Sequence, residues 1–283
     1  MPEDKMQLQR WELKYVIPEE TALLVREFVG SYLDLDEYGA GQPNFSYTIH
    51  NLYLDSDDLK IYWGTINGDK NRYKLRLRFY EDNPNASIFF EIKRRINDAI
   101  LKQRGGVKRP AVESILHGHH PGPNELVSGD PRQLVAVQRF VELMIADRAS
   151  PRAHVSYLRE AWISPTDNSV RVTLDRQVDI EPNFTTRFRA AFDNPTRVFG
   201  DLVILELKFT GRFPGWFTEM VRALGLRQCS ASKYADGIVN RGEAEFYTLG
   251  SDPPDPYRSA AASERKRDRI DRIQNILHCK VPA

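Results

Sequence analysis

The stretch RYKLRLRFY, residues 72–80, leaves the backbone few choices. Lys74, Arg76 and Arg78 alternate with Tyr73, Leu75, Leu77 and Phe79. A strand points successive side chains to opposite faces. A period of two therefore lines the cations along one face and the apolar groups along the other. The face is either solvated or built to hold an anion.

The same alternation recurs along the chain. RWELKY sets Arg10, Glu12 and Lys14 opposite Trp11, Leu13 and Tyr15. FFEIKRR sets Glu91, Lys93 and Arg95 opposite Phe90 and Ile92, and VRVTLD sets Arg171, Thr173 and Asp175 opposite Val170, Val172 and Leu174. LVILELKF places Glu206 and Lys208 against Leu205, Leu207 and Phe209, and SYLREA adds Arg159. Further strands are expected over residues 44–56 and in a hairpin around the turn PTDN. Helices are expected over 17–33, 131–147 and 214–226, with a short helix or turn over 57–68. The predicted class is α+β, mostly antiparallel sheet. One domain is expected over residues 1–245, followed by a linker and a charged helical tail over 246–283. The tail has sparse apolar positions, so a solvated helix is expected, with docking on a partner or a membrane surface as the alternative. Truncation near Gly250 is expected to leave a folded domain.

Charge is balanced over the whole chain, with 40 Lys+Arg against 39 Asp+Glu among 283 residues. Bulk attraction to nucleic acid is therefore not predicted. The strand faces differ from that balance. Arg10, Lys14, Lys74, Arg76, Arg78, Lys93, Arg95, Arg159, Arg171 and Lys208 outnumber Glu12, Glu91, Asp175 and Glu206 on them. Two like charges about 4 Å apart repel by roughly 4 kcal/mol at an effective dielectric near 20. An anion would offset such crowding, and arginine suits multidentate phosphate recognition. A carboxylate precedes a lysine by two positions in Glu12-x-Lys14, Glu91-x-Lys93 and Glu206-x-Lys208. A solvated sheet face remains the plainer reading of any one strand. If the sheet closes with these faces inward, it forms a polyanion tunnel. Arg76, Arg78 and Arg171 would then face the cavity, with Leu75, Leu77 and Val172 against outer helices. Carboxylates inside would suit a divalent metal.

Taken in order, ELKY, YLDSDDLKIY, YKLRLRFY, FFEIKRR with LKQR, SYLREA, VRVTLD, LELKF and SASKYADGI resemble the polyphosphate polymerase domain of the vacuolar transporter chaperone family. That family lies in the CYTH, or triphosphate tunnel metalloenzyme, superfamily. The resemblance covers roughly residues 8–240. It implies an eight-stranded antiparallel β tunnel with helices packed outside. It also implies transfer of the terminal phosphoryl of ATP to a growing polyphosphate chain, with Mn²⁺ or Mg²⁺. Residue by residue, it implies catalytic roles for Lys14, Lys93, Arg159, Arg171 and Lys233. It implies phosphate binding by Lys74, Arg76, Arg78, Lys102 and Lys208. Glu206 is the implied metal ligand, with Glu12 and Glu91 as further candidates. Eukaryotic members add an N-terminal regulatory domain and a C-terminal membrane bundle, and neither is expected here.

A rival expectation is a non-catalytic polyphosphate- or triphosphate-binding module. A third is hydrolysis of tripolyphosphate or nucleoside triphosphate with water as acceptor. GTINGDKN departs from the Walker spacing and reads as a turn. HGHH, residues 117–120, reads as a solvated loop. Ser156, Ser164 and His154 form no nucleophile–base pattern. Trp11 and Trp216 read as core. No apolar run approaches the roughly 18 residues that span a bilayer, and there is no signal-peptide core. Cys229 and Cys279 fit no zinc spacing, and a reduced, cytoplasmic setting is expected.

Overall fold

The computed structural model describes residues 11–97, 99–167, 169–248 and 260–278. Arg10, Cys279 and most of the expected linker lie outside the described residues. The chain opens with β1 (Trp11–Ile17), α1 (Glu19–Val29), β2 (Asp34–Leu35), α2 (Glu37–Ala40), β3 (Ser46–Asp55), α3 (Lys60–Ile66) and β4 (Asn71–Phe79). Next come β5 (Ile88–Ile96), β6 (Ala99–Val107), α4 (Arg109–Leu116), α5 (Pro131–Ala146), β7 (Ser150–Ile163) and β8 (Val170–Pro182). Then follow β9 (Thr196–Arg197), β10 (Val203–Phe209), α6 (Gly215–Ala223), α7 (Lys233–Arg241) and α8 (Ala260–His278).

Local chemistry sets several of these boundaries. Pro18 precedes α1, and Glu19 and Glu20 fill its first turn, where the helix dipole favours anions. Asp130 caps α5 by accepting the Arg132 N–H at 2.9 Å. Ser232 caps α7 by accepting the Ala235 N–H at 3.2 Å.

The strands form one antiparallel sheet of 10 strands, with main order β1-β10-β8-β7-β3-β4-β5-β6. Short β2 and β9 pair with β7 and β8 off that path. The eight strands of that main path match the number expected, but hydrogen bonding does not close them into a ring. Among the described residues the two end strands, β1 and β6, share no ladder.

The apolar side of the alternation packs as expected. Leu75 and Leu77 of β4 join Phe90 of β5 and Val137 and Phe140 of α5 in one core. α5 lies very close to β6 there: a Cβ on Gly105 would stand 2.5 Å from the Gln133 carbonyl oxygen. Val172 and Leu174 of β8 join Val25 and Val29 of α1 and Phe217 and Met220 of α6 in another.

Not every helix lies outside. β8 carries a bulge beside β7, with Gln177 at φ 50°. The extra residue reverses the alternation. Val178 and Ile180 therefore point to the same side as Asp175. With Ile49 and Val155 they seat Tyr234, Ala235 and Ile238 of α7. α7 lies on the charged side of the sheet.

The C-terminal helix corrects a second expectation. α8 packs on α3 and α7. Its Ala262 is buried, and Ile270 and Ile273 contact the core under α7. Lys266 pairs with Glu243 at 2.7 Å, and Arg269 pairs with Asp236. The few apolar positions suffice because ion pairs hold the rest of the contact. Trp11 is also not core: it is 40 % exposed on an end strand. Trp216 stacks on Tyr32 at 4.6 Å, on the α1–α6 side. His119 and His120 are exposed, as a solvated loop requires.

Candidate functional site

The charged faces of the strands converge on two hubs. The first is Glu206, in the middle of β10. Register sets Glu206 beside Lys14 of β1 and Thr173 of β8. Its carboxylate meets Lys14 at 3.1 Å, Lys233 at 3.3 Å and Arg159 at 3.5 Å, and it also holds Lys208. The Thr173 hydroxyl donates to it at 3.3 Å. One strand away, Asp175 accepts two bonds from Arg159, both at 2.7 Å, and meets Lys233 at 2.6 Å. Glu12 meets Lys14 at 3.3 Å and Lys93 at 2.9 Å. The Glu12–Lys93 contact joins β1 to β5, which are distant along the sheet order. The sheet therefore curls until a side chain of β1, at one end, reaches β5, one strand in from the other.

The second hub is Glu91 of β5. It meets Arg76 at 2.7 Å, Lys102 at 2.9 Å, Arg104 at 3.5 Å and Arg78 at 3.7 Å. Tyr157 stands between the hubs. Its hydroxyl accepts from Arg78 at 3.3 Å, while Lys233 and Arg159 lie 4.7 and 5.2 Å from its ring centroid. Lys74 donates to the Ser232 hydroxyl at 2.6 Å.

Most predicted residues thus fall into one charged surface. Lys14, Lys93, Arg159, Lys208 and Lys233 gather with Glu12 and Glu206. Arg76, Arg78 and Lys102 gather around Glu91, and Lys74 lies at the start of α7. Arg171 is drawn into neither hub. It shares the strand face but donates to Asp36 at 2.7 Å, the cap of α2. Asp175, Tyr157, Arg104, Ser232 and Asp236 also belong to the surface, beyond the site residues expected from the sequence. The alternation already placed Asp175 beside Arg171 and Thr173, which is the signal that could have found it.

Electrostatics follow from these contacts. Burial alone pushes the Glu206 carboxyl up, but Lys14, Lys208, Lys233 and Arg159 outweigh it and hold the group well below the usual range. Glu12 is held down in the same way, by Lys93 and Lys14 against its burial. Burial lowers Lys208 to about 7, against the pull of Glu206. Burial also lowers Lys233, but Asp175 and Glu206 outweigh it and the ammonium is raised. Burial raises the Tyr157 phenol, yet Arg159 and Arg78 bring it below its ordinary value.

The Lys208 shift gives a pH expectation. Below about pH 7 its ammonium is charged and would attract a polyanion; above, it is neutral. Triphosphate affinity should therefore fall as pH rises through 7, and binding at pH 8 should take up a proton. Calorimetry in buffers of different ionisation enthalpy measures that uptake directly. The sign for folding is the opposite. The unfolded chain holds this proton up to its ordinary pKa, so stability from this group rises with pH above about 7. Lys102 is also lowered to about 7 by burial, but it is 43 % exposed and more screened.

A hard divalent cation takes carboxylate oxygens, and a magnesium-type ion often needs only one or two alongside phosphates. Glu206 and Glu12 share the Lys14 ammonium and fit that sparse kind of site. Glu91, the third expected metal ligand, sits at the other hub. Among the described residues no group of three His, Cys, Asp or Glu side chains converges as a ready-made metal cage.

The fold and the site define an α+β protein whose curled antiparallel sheet gathers arginine and lysine around a few buried carboxylates. The VTC domain family model matches residues 9–240, and the chain belongs to that family. A curated relative is vacuolar transporter chaperone complex subunit 4 of Schizosaccharomyces pombe. It is 24% identical over 208 residues, which cover 62% of this chain and 29% of the relative. The match thus spans less than a third of that protein's length. A solved Bacillus halodurans protein, described as a candidate adenylate cyclase, superposes with a TM-score of 0.48 at 14% identity. The match covers 79% of this chain and 93% of that one. A likeness at that level says nothing about chemistry. No helix among the described residues is long and apolar enough to cross a membrane.

Proposed function

We propose that the charged surface is a metal-dependent site that transfers the terminal phosphoryl group of ATP onto a growing polyphosphate chain. The observation that carries this reading is the Glu206 hub: a buried carboxylate ringed by Lys14, Lys208, Lys233 and Arg159. A pure anion binder gains little from an acid at its centre, whereas a phosphoryl-transfer site uses one to hold a cation among phosphate oxygens. Membership of the VTC domain family, and the S. pombe relative named for the vacuolar transporter chaperone complex, support the same reading.

In this reading the curled sheet is a tunnel, with the Glu12–Lys93 contact at its seam. Arg76, Arg78, Arg159, Lys93 and Lys233 clamp the triphosphate, and Lys74, Lys102 and Lys208 extend the cationic wall. Glu206 and Glu12 would hold Mn²⁺ or Mg²⁺, which would supply positive charge to offset that of the phosphates. The terminal phosphate oxygen of the polymer attacks the γ-phosphorus of ATP. The bond to the β-phosphate breaks, and ADP leaves. No covalent enzyme nucleophile is required, because positioning and charge stabilisation carry phosphoryl transfer.

A second reading is a polyphosphate-binding module without turnover. It draws on the pairing of each acid with protein cations, which already balances Glu206, Glu12 and Asp175 without a metal. Incubation of purified protein with ATP and Mn²⁺, followed by a polyphosphate stain after electrophoresis, separates the two. A ladder of polymer is the expected result. Triphosphate binding without product would favour the module. Phosphate release without polymer would favour a hydrolase. Neither binding nor turnover would overturn all three.

A further inference from the structure

α8 reaches the charged surface through one chain of contacts. Arg269 donates to Oδ1 of Asp236. Oδ2 of the same carboxylate accepts the backbone N–H of Ser232 at 2.7 Å. The Ser232 hydroxyl accepts both the Ala235 N–H at 3.2 Å and the Lys74 ammonium at 2.6 Å. The next residue, Lys233, opens α7 and meets Asp175 at 2.6 Å and Glu206 at 3.3 Å. One carboxylate is thus shared between α8 and the turn that aims Lys233 and receives Lys74.

Both ends of that shared contact are shielded from water. The Asp236 side chain is 3 % exposed and that of Arg269 is 12 %. A carboxylate with a donor on each oxygen has its orientation fixed. Without Arg269, one oxygen of Asp236 would lose its charged partner, and the carboxylate could turn away from the Ser232 N–H. The cap of α7 would loosen, and with it the seats of Lys74 and Lys233. The charge of Arg269 is itself felt at the site. Burial is the largest influence depressing Lys74; Lys14, Lys93 and Arg269 add to it and Asp236 opposes it, so this direct effect of Arg269 runs against its positioning role and only partly offsets the loss of the seat.

We propose that Arg269 is a positioning residue for the phosphate site, and that the seating of α8 sets the affinity of that site through Asp236. This rests on the polyphosphate reading above. Release of α8, by a partner or by a competing anion, would loosen Lys74 and Lys233 together. The C-terminal helix is then a control element rather than a passive cover.

The test compares the full chain with Arg269→Ala, Arg269→Lys, Asp236→Asn and the double variant Asp236→Asn/Arg269→Ala. Arg265→Ala and Lys266→Ala serve as controls. Both lie on α8, but Arg265 bonds the Asn67 carbonyl and Lys266 bonds Glu243. The readouts are the Kd of inorganic triphosphate, KM and kcat with ATP, and the melting temperature. Arg269→Ala is expected to raise Kd and KM about tenfold, with the double variant no worse than the poorer single one, the mark of a shared contact. Arg269→Lys should recover most of the loss, and the controls should stay within about twofold of the unmodified protein.

Equal weakening by Arg265→Ala would reduce the effect to general charge and overturn the proposal. So would a lower melting temperature with unchanged Kd. Should Arg269→Ala fail to fold, Asp236→Asn against Lys266→Ala carries the same comparison. An unmodified protein that binds triphosphate but makes no polymer would defeat the catalytic reading alone, because the positioning test is read on Kd.

Discussion

Glu206→Gln should lower metal-dependent ATP turnover by roughly 100-fold or more, the scale seen when an electrostatic group is removed from a catalytic centre. The amide keeps the size of the side chain and removes its charge. A divalent ion would lose a ligand, while Lys14, Lys208, Lys233 and Arg159 would remain. Metal-free binding of triphosphate should therefore persist or tighten, since these cations would no longer be partly neutralised by a protein acid. The empty protein should also melt lower, because the four positive groups lose the carboxylate that holds them together. Turnover and triphosphate affinity, measured side by side, check both halves. Unchanged turnover in this variant would remove Glu206 from the metal role.

Arg159→Met should be the most damaging change to the fold at the site. Arg159 makes the paired bonds to Asp175, which is wholly buried. Removing one member of a buried ion pair typically costs about 3–5 kcal/mol, because the other charge is left without compensation. Lys233 still meets Asp175 at 2.6 Å, so the loss should fall near the lower end, about 3 kcal/mol. Urea unfolding measures it. The same variant should weaken triphosphate binding, since a charge-assisted contact disappears. Arg171→Ala should do less of both, because the guanidinium is engaged with Asp36 away from the two hubs. Equal stability for Arg159→Met and the unmodified chain would mean that Lys233 alone satisfies Asp175.

Much of the sheet is legible in the sequence because alternation is a local property. RYKLRLRFY, FFEIKRR and LVILELKF each fix which side chains share a face, and the ladders of β4, β5 and β10 keep that assignment. The two hubs are not legible in the same way. Which cation meets which carboxylate depends on how far the sheet curls, and that is set by packing between distant segments. Glu12 and Lys93 are 81 positions apart yet 2.9 Å apart in space. Arg171 shows the reverse case. Its strand face is readable, but its partner Asp36 comes from a cap 135 positions away.

The helices divide similarly. α1, α5 and α6 announce themselves by apolar spacing and proline starts. α7 does not, because much of SKYADGIVNR is polar. Its burial follows from a seat that only the β8 bulge creates. The sparse apolar positions of α8 point to a solvated helix. Ion pairs to Glu243 and Asp236 supply the missing contacts, and no count of apolar residues reveals them.

The bulge at Gln177 also divides the charged face of the sheet into two solvents. On one side of it β8 presents Arg171, Thr173 and Asp175; on the other it presents Val178 and Ile180 beneath α7. Within a few residues the surroundings pass from a polar lining to a dry, low-dielectric seat. Coulomb forces strengthen as the local dielectric falls. Lys233, Asp175 and Tyr157 lie at that step. Each charge there acts with less screening than the same charge on the outer reaches of β4 or β6. The pairing of Lys233 with Asp175 is therefore stronger at this step than the same pair would be in water.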